Sequence, residues 1–143
     1  MDDNILNVSI ELINDGIKFS STAENYPAVI SDYYPPFGNN EGYKPLQLFL
    51  ISFGTCISGT ILPLLRKMNM HIHKYSVSVE GKRRTEHPTG FEKIKLFISL
   101  YSNDIEEADM DKVIKMSEEK YCPVCAMIKN NVDVEIEYKI EKV

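Results

Sequence analysis

Between Pro45 and Leu65 the chain carries no charged side chain, and this absence excludes a surface helix there. At the ~100° per residue of a helix, Leu48, Phe49, Ile51, Phe53, Ile57, Ile61, Leu62 and Leu65 point in every direction. No surplus of basic residues exists either. With 16 Lys and Arg against 21 Asp and Glu, the net charge of -5 gives no general attraction to nucleic acid or to an anionic membrane. The opening stretch MDDNILNVSIELIND is acidic and has no continuous apolar segment, so no secretion signal is read and a cytoplasmic location is expected. Cysteine is scarce, with 3 residues, an odd number that excludes a structural disulfide framework and leaves reactive or metal-binding thiols. No second CxxC or CxxH accompanies Cys122 and Cys125, so a zinc site has half its ligands and no metal is expected. Internal repeats and low-complexity segments are absent, and 143 residues fit a single domain over 1–143.

What is present is organised around the charge-free run. Pro45 suits the first turn of a helix, where its missing N–H costs nothing, and Arg66 and Lys67 sit where the helix dipole favours cations. Pro63 is expected to kink or end the helix. A run of this length could span a bilayer. Gln47, Ser52, Thr55, Ser58 and Thr60 dilute its hydrophobicity, however, and amphipathic strand patterns flank it, so we read a central core helix and no membrane partner. Each large apolar side chain contributes ~1.5–3 kcal/mol on burial. One sheet covers only half of such a helix, so a second subunit is expected over the rest.

The chain opens with strand patterns: Val8, Ile10 and Leu12 alternate with polar residues, Asn14-Asp15-Gly16 reads as a turn, and Ile17 and Phe19 resume the alternation. An extended piece spans Ala28 to Tyr34, and the Pro- and Gly-rich stretch from Pro35 to Gly42 is a loop leading to the helix. Tyr33, Tyr34, Phe37 and Tyr43 are candidates to line an apolar pocket or to cap a core edge. Beyond the helix, Tyr75, Val77 and Val79 mark a strand whose partner runs from Ile94 to Leu100. Asn103 or Asp104 is expected to cap a second helix whose apolar face is Ile105, Met110, Val113, Ile114, Ser117 and Tyr121. Val132, Val134, Ile136 and Tyr138 alternate strictly in a last strand that closes an antiparallel or mixed sheet. The fold class is therefore α+β.

Chemistry concentrates in KYCPVCAMI, Lys120 to Ile128. Pro123 breaks the preceding helix and opens a short new one, which leaves Cys122 at an N-cap, where unpaired N–H groups favour a thiolate. Cys125 lies within reach of the same turn, a spacing that fits a redox dithiol or half a zinc site. His71 and His73 read as surface residues on a strand entry, and Arg83 and Arg84 as a solvated loop tip. Cys56 by itself reads as a small buried hydrophobe.

The ordered pair PLQLFLISFGTC and YCPVC, with strands and a second helix between them, resembles the OsmC/Ohr family of osmotically inducible and organic hydroperoxide resistance proteins over nearly the whole chain. The resemblance implies an intertwined homodimer with sheets packed on long central buried helices and active sites at the dimer interface. It also implies a thiol peroxidase that reduces organic hydroperoxides in oxidative stress defence. Cys56 would then be peroxidatic and Cys122 resolving, with an external dithiol reductant and no cofactor. Cys125 is an addition to the family's Cys-Pro motif, as a competitor for Cys122 or a second resolving thiol. The family's activating arginine and glutamate are absent as written: no arginine precedes Arg66, and Leu46 follows Pro45. Glu41 and Lys44, or Arg83 and Arg84 from a second subunit, are the available substitutes. The alternative reading is a non-catalytic redox sensor or small-ligand-binding protein on the same fold.

Overall fold

The structure, a computed structural model, describes residues 3–143; Met1 and Asp2, which open the expected span, lie outside the described residues. The chain divides into a unit that ends at Phe49 and a unit Leu50–Val143, and α1, Pro45–Lys67, runs from one into the other.

In the first unit, β1 (Ser9–Leu12), β2 (Phe19–Thr22) and β3 (Val29–Ser31) form an antiparallel sheet in that order. The Asn14 side chain builds the β1–β2 turn, its Oδ1 accepting the N–H groups of Gly16 and Lys18 at 3.0 and 3.1 Å. Its alternating side chains find little cover, for Val8, Ile10 and Leu12 all stand exposed. The loop after β3 is tied to one buried carboxylate. Asp32 Oδ1 accepts the N–H of Tyr33 at 2.8 Å, and Oδ2 accepts those of Asn39 and Glu41, each at 3.1 Å. Burial alone would raise the Asp32 pKa, yet these three donors and the nearby Lys18 hold it below the ordinary value. Gly38 is required here, since a Cβ would collide with the Asp32 carboxylate and the Tyr33 backbone.

In the second unit, β4 (Lys74–Arg83), β5 (Phe91–Tyr101) and β6 (Asp133–Glu141) form a sheet in that order. The pair β4–β5 is antiparallel and β5–β6 parallel, so the sheet is mixed. Alternation in the central strand places Ile94, Leu96, Ile98 and Leu100 in the core with no exposed surface. The crossover that a parallel pair requires carries α2 (Glu107–Met116), a π-helical turn (Ser117–Tyr121) and α3 (Pro123–Ile128).

α1 approaches β4 closely because Gly54 has no side chain; a Cβ there would stand 2.9 Å from Val79 Cγ2. Ser58 Oγ lies 2.8 Å from the Tyr75 hydroxyl across the same contact. The hydroxyls within the charge-free run are satisfied locally, with Thr55 bonding Ile51 O, Ser58 bonding Gly54 O and Thr60 bonding Ile57 O.

Within one chain α1 is buried along one stripe, Phe53, Gly54, Ile57, Ser58, Ile61 and Leu65, because one sheet covers one side; Ile51 remains 47% exposed. Three expectations need correction. The helix does not end at Pro63 but continues to Lys67, since Pro63 and the residue one turn before it, Gly59, are both exposed. The N-cap of α2 is Glu106, in a capping box with Asp109, rather than Asn103 or Asp104. Finally, Tyr121 is 44% exposed, because the π-helical turn adds a residue and rotates it off the apolar face.

Asp104 is engaged elsewhere. Its carboxylate accepts the backbone N–H of His71 at 3.0 Å and meets His71 Nδ1 at 2.7 Å, while Ser102 Oγ lies 2.9 Å away. The His71 contacts bring its pKa from 3.8 to about 2. A depressed carboxylate stabilises the fold above its unfolded pKa, and that contribution disappears as pH falls through the folded value. Asp104→Ala is therefore expected to melt below the wild type at about pH 5, and the gap in Tm to close toward about pH 2. A gap that persists unchanged in acid would show that the charge of Asp104 contributes nothing.

Candidate functional site

The chemistry-bearing side chains meet where α1 passes the start of α3. Proline at position 123 has no N–H to donate and cannot extend the preceding helix, so the chain breaks after Tyr121. The Cys122 N–H closes the π-helical turn on Ser117 O at 2.8 Å, and Cys122 then serves as N-cap of α3. Its Sγ accepts the Cys125 N–H at 3.4 Å. At 3% exposure, Cys122 is nearly sealed from solvent.

Cys56 lies half-buried on α1 beside the packed stripe. It lies near the first turn of α3, where the Val124 backbone and the Cys122 thiol act on it electrostatically. Burial pushes the Cys56 pKa up, the Val124 N–H opposes this, and Cys122 adds to the rise. No basic side chain of the Leu50–Val143 unit acts on it among the described residues. Cys125 is also buried, at 8% exposure, and stands within reach of the Cys122 thiol. Burial, Cys122 and the Glu118 carboxylate all raise its pKa. The three thiols are free, with no disulfide among them.

Glu41 and Lys44 belong to the first unit and are committed within it. Glu41 pairs with Lys18 at 3.8 Å, while Lys44 Nζ donates to Asn40 Oδ1 at 2.7 Å and Gly42 O at 2.8 Å and sits 4.4 Å from the Tyr34 ring centroid. Arg83 donates to the Thr89 carbonyl and hydroxyl and so braces its own loop. Tyr33, Tyr34, Phe37 and Tyr43 stand exposed, and Tyr43 lines an open cavity of about 560 Å³ with Val29, Ile30 and Gln47. Among the described residues, no three His, Cys, Asp or Glu side chains form a metal cradle.

A family model described as "OsmC-like protein" matches residues 38–137, a span that contains α1 and all three cysteines. The chain belongs to this family. Protein YhfA of Escherichia coli strain K12 is 27% identical over 104 residues, which cover 71% of this chain and 78% of YhfA. A hypothetical protein from Aquifex aeolicus VF5 superposes with a TM-score of 0.84 at 26% identity, over 97% of this chain and 98% of that one. The organic hydroperoxide resistance protein OhrB of Bacillus subtilis superposes with a TM-score of 0.66 at 19% identity, over 94% of this chain and 98% of OhrB. This last likeness is one of fold.

The sequence pattern located the N-cap position of Cys122 and the nearness of Cys125 to it. It missed Glu118, the Val124 N–H and the π-helical turn. The signal for the turn is faint. SEEKYCP places a proline directly after the last residue that can close a wide turn, but helical periodicity gives no sign of the extra residue.

The raised pKa of Cys56 fixes the direction of its reactivity with pH. The thiolate is the nucleophile, so a group held above the ordinary thiol range is mostly protonated at neutrality. Alkylation of Cys56 by iodoacetamide, followed by peptide mapping, is expected to accelerate with pH to beyond about pH 8.5. A rate already level at neutral pH would show a lowered pKa instead.

Proposed function

We propose that this OsmC-like chain is a cytoplasmic thiol peroxidase that reduces organic hydroperoxides in oxidative stress defence, with Cys56 attacking and Cys122 resolving. The observation that supports the reading is the placing, in a chain of the OsmC-like family, of a partly exposed thiol on α1 and a sealed thiol at the N-cap of α3. The Cys56 thiolate attacks one oxygen of the hydroperoxide, the O–O bond breaks, and the alkoxide leaves and is protonated to the alcohol. Cys56 is then a sulfenic acid. The Cys122 thiol condenses with it, releasing water and forming the disulfide. An external dithiol reduces that disulfide and is itself oxidised. The first unit and the Leu50–Val143 unit together make the single domain in this reading.

In this reading the Val124 N–H opposes the rise in the Cys56 pKa where the family has an arginine–glutamate pair. Burial nevertheless keeps that pKa raised, which favours a second reading, a redox sensor or small-ligand-binding protein that reacts once and slowly. Steady-state turnover of cumene hydroperoxide and hydrogen peroxide with a dithiol reductant separates the two. Preference for the organic peroxide, abolished in Cys56→Ser, is expected; in Cys122→Ser the oxidised form stops at the sulfenic acid. A folded wild type without turnover would leave the sensor.

A homodimer belongs to the same proposal. Ile51 and the α1 face around Thr55 and Gly59 lie open, as do the apolar side chains of β1. A second copy of the chain matches the cover that both require. Sedimentation velocity is expected to give a dimer at low micromolar concentration, and a stable folded monomer would defeat this part of the proposal.

A further inference from the structure

Beyond the pair of thiols assigned above, the third cysteine faces a space of its own. Cys125 lines a cavity of about 250 Å³ with Glu118, Glu119, Ile128, Val132 and Val134, and Cys56 takes no part in that lining. Its backbone N–H is already on Cys122 Sγ, and its thiol is within hydrogen-bond reach of the same sulfur. Cys122 is thus the sulfur that acts on both of the other thiols. It is itself too buried for an external reductant to attack.

We propose that Cys125 completes a three-cysteine relay, in which the disulfide formed between Cys56 and Cys122 passes to Cys122–Cys125 and is reduced by a dithiol entering through the Glu118 cavity. The inference rests on the peroxidase reading for the origin of the first disulfide. In the transfer, Cys125 gives its proton to the Glu118 carboxylate and its sulfur attacks Cys122 Sγ. The Cys56–Cys122 bond breaks, its electron pair leaves on Cys56, and Cys56 takes a proton from water. One disulfide is exchanged for another, with no net oxidation or reduction. A departing thiolate leaves faster the less basic it is, and an attacking thiol must first lose its proton. Cys56 is the more exposed of the two thiols, and Cys125 lines its cavity with Glu118, the carboxylate placed to take that proton. Peroxide and reductant would then use different entrances, and Cys56 would be free for a second peroxide before the first pair of electrons has been repaid.

Trypsin cleavage after Lys120 and Lys129 releases Cys122 and Cys125 in one peptide, so the two disulfides are distinguishable by mass. The test treats the protein with an equivalent of cumene hydroperoxide, quenches in acid, alkylates free thiols and maps the peptides. The wild type is expected to carry the disulfide within the Tyr121–Lys129 peptide and an alkylated Cys56. Cys125→Ser is expected to accumulate the Cys56–Cys122 cross-link instead. A wild type that keeps this cross-link and a free Cys125 overturns the relay while leaving the peroxidase intact. Formation of the Cys122–Cys125 disulfide as rapidly in Cys56→Ser also overturns it, since Cys56 would then be no part of the route. If cumene hydroperoxide leaves all three thiols reduced, the peroxidase reading itself has failed. Oxidation by glutathione disulfide then decides the exchange separately: settling at Cys122–Cys125 supports the transfer, and settling at Cys56–Cys122 refutes it.

Discussion

A helix without charge from Pro45 to Leu65 has to be covered, and how that requirement is met shapes the molecule. The sheet of β4, β5 and β6 covers one side, and it does so at short range because Gly54 lets the helix backbone approach Val77 and Val79. Polar groups in the run do not oppose this burial. Their hydroxyls return to carbonyls one turn earlier, and Ser58 also meets the Tyr75 hydroxyl. A buried hydroxyl left unpaired would cost roughly 1–3 kcal/mol. The crossover between β5 and β6, with α2, the π-helical turn and α3, carries the other two cysteines.

Those elements set the environment of the sulfur atoms through unsatisfied backbone donors. The first turn of a helix always leaves N–H groups without helical partners. In α3 one of them falls on sulfur, where Cys125 donates to Cys122, and the Val124 N–H opposes the rise in the Cys56 pKa. Proline at the first position removes a third donor that would otherwise need a partner. Burial works against these contacts by disfavouring charge, and for Cys56 and Cys125 burial prevails.

Much of this could be read from residues alone, for identifiable reasons. The extent of α1, the strand pair on either side of the Arg83 loop and the N-cap at Cys122 follow from local chemistry: uninterrupted apolarity, period-two alternation and a proline after a cysteine. The strict alternation from Val132 to Tyr138 located β6 but not its direction, since period two is the same in parallel and antiparallel pairs. Asp104 looked like a helix cap because its type suits one. It is instead taken by His71, a residue 33 positions away, which no local pattern reports. Tyr121 fell off its predicted face through the π-helical turn, and Glu118 reached the Cys125 cavity by the same local widening. Glu41 and Lys44, the expected substitutes for an activating pair, meet Lys18 and Asn40 in the first unit, contacts that no local pattern reports.

The crossover between β5 and β6 also bears on which linkage an unfolded chain makes. Cys122 and Cys125 both lie inside it, whereas Cys56 stands on α1, before both strands. In the unfolded chain the closing of a long loop between Cys56 and Cys122 is entropically disfavoured relative to the short loop between Cys122 and Cys125. A newly made chain exposed to oxidant therefore tends toward the local linkage, and a linkage to Cys56 asks for the order that folding supplies.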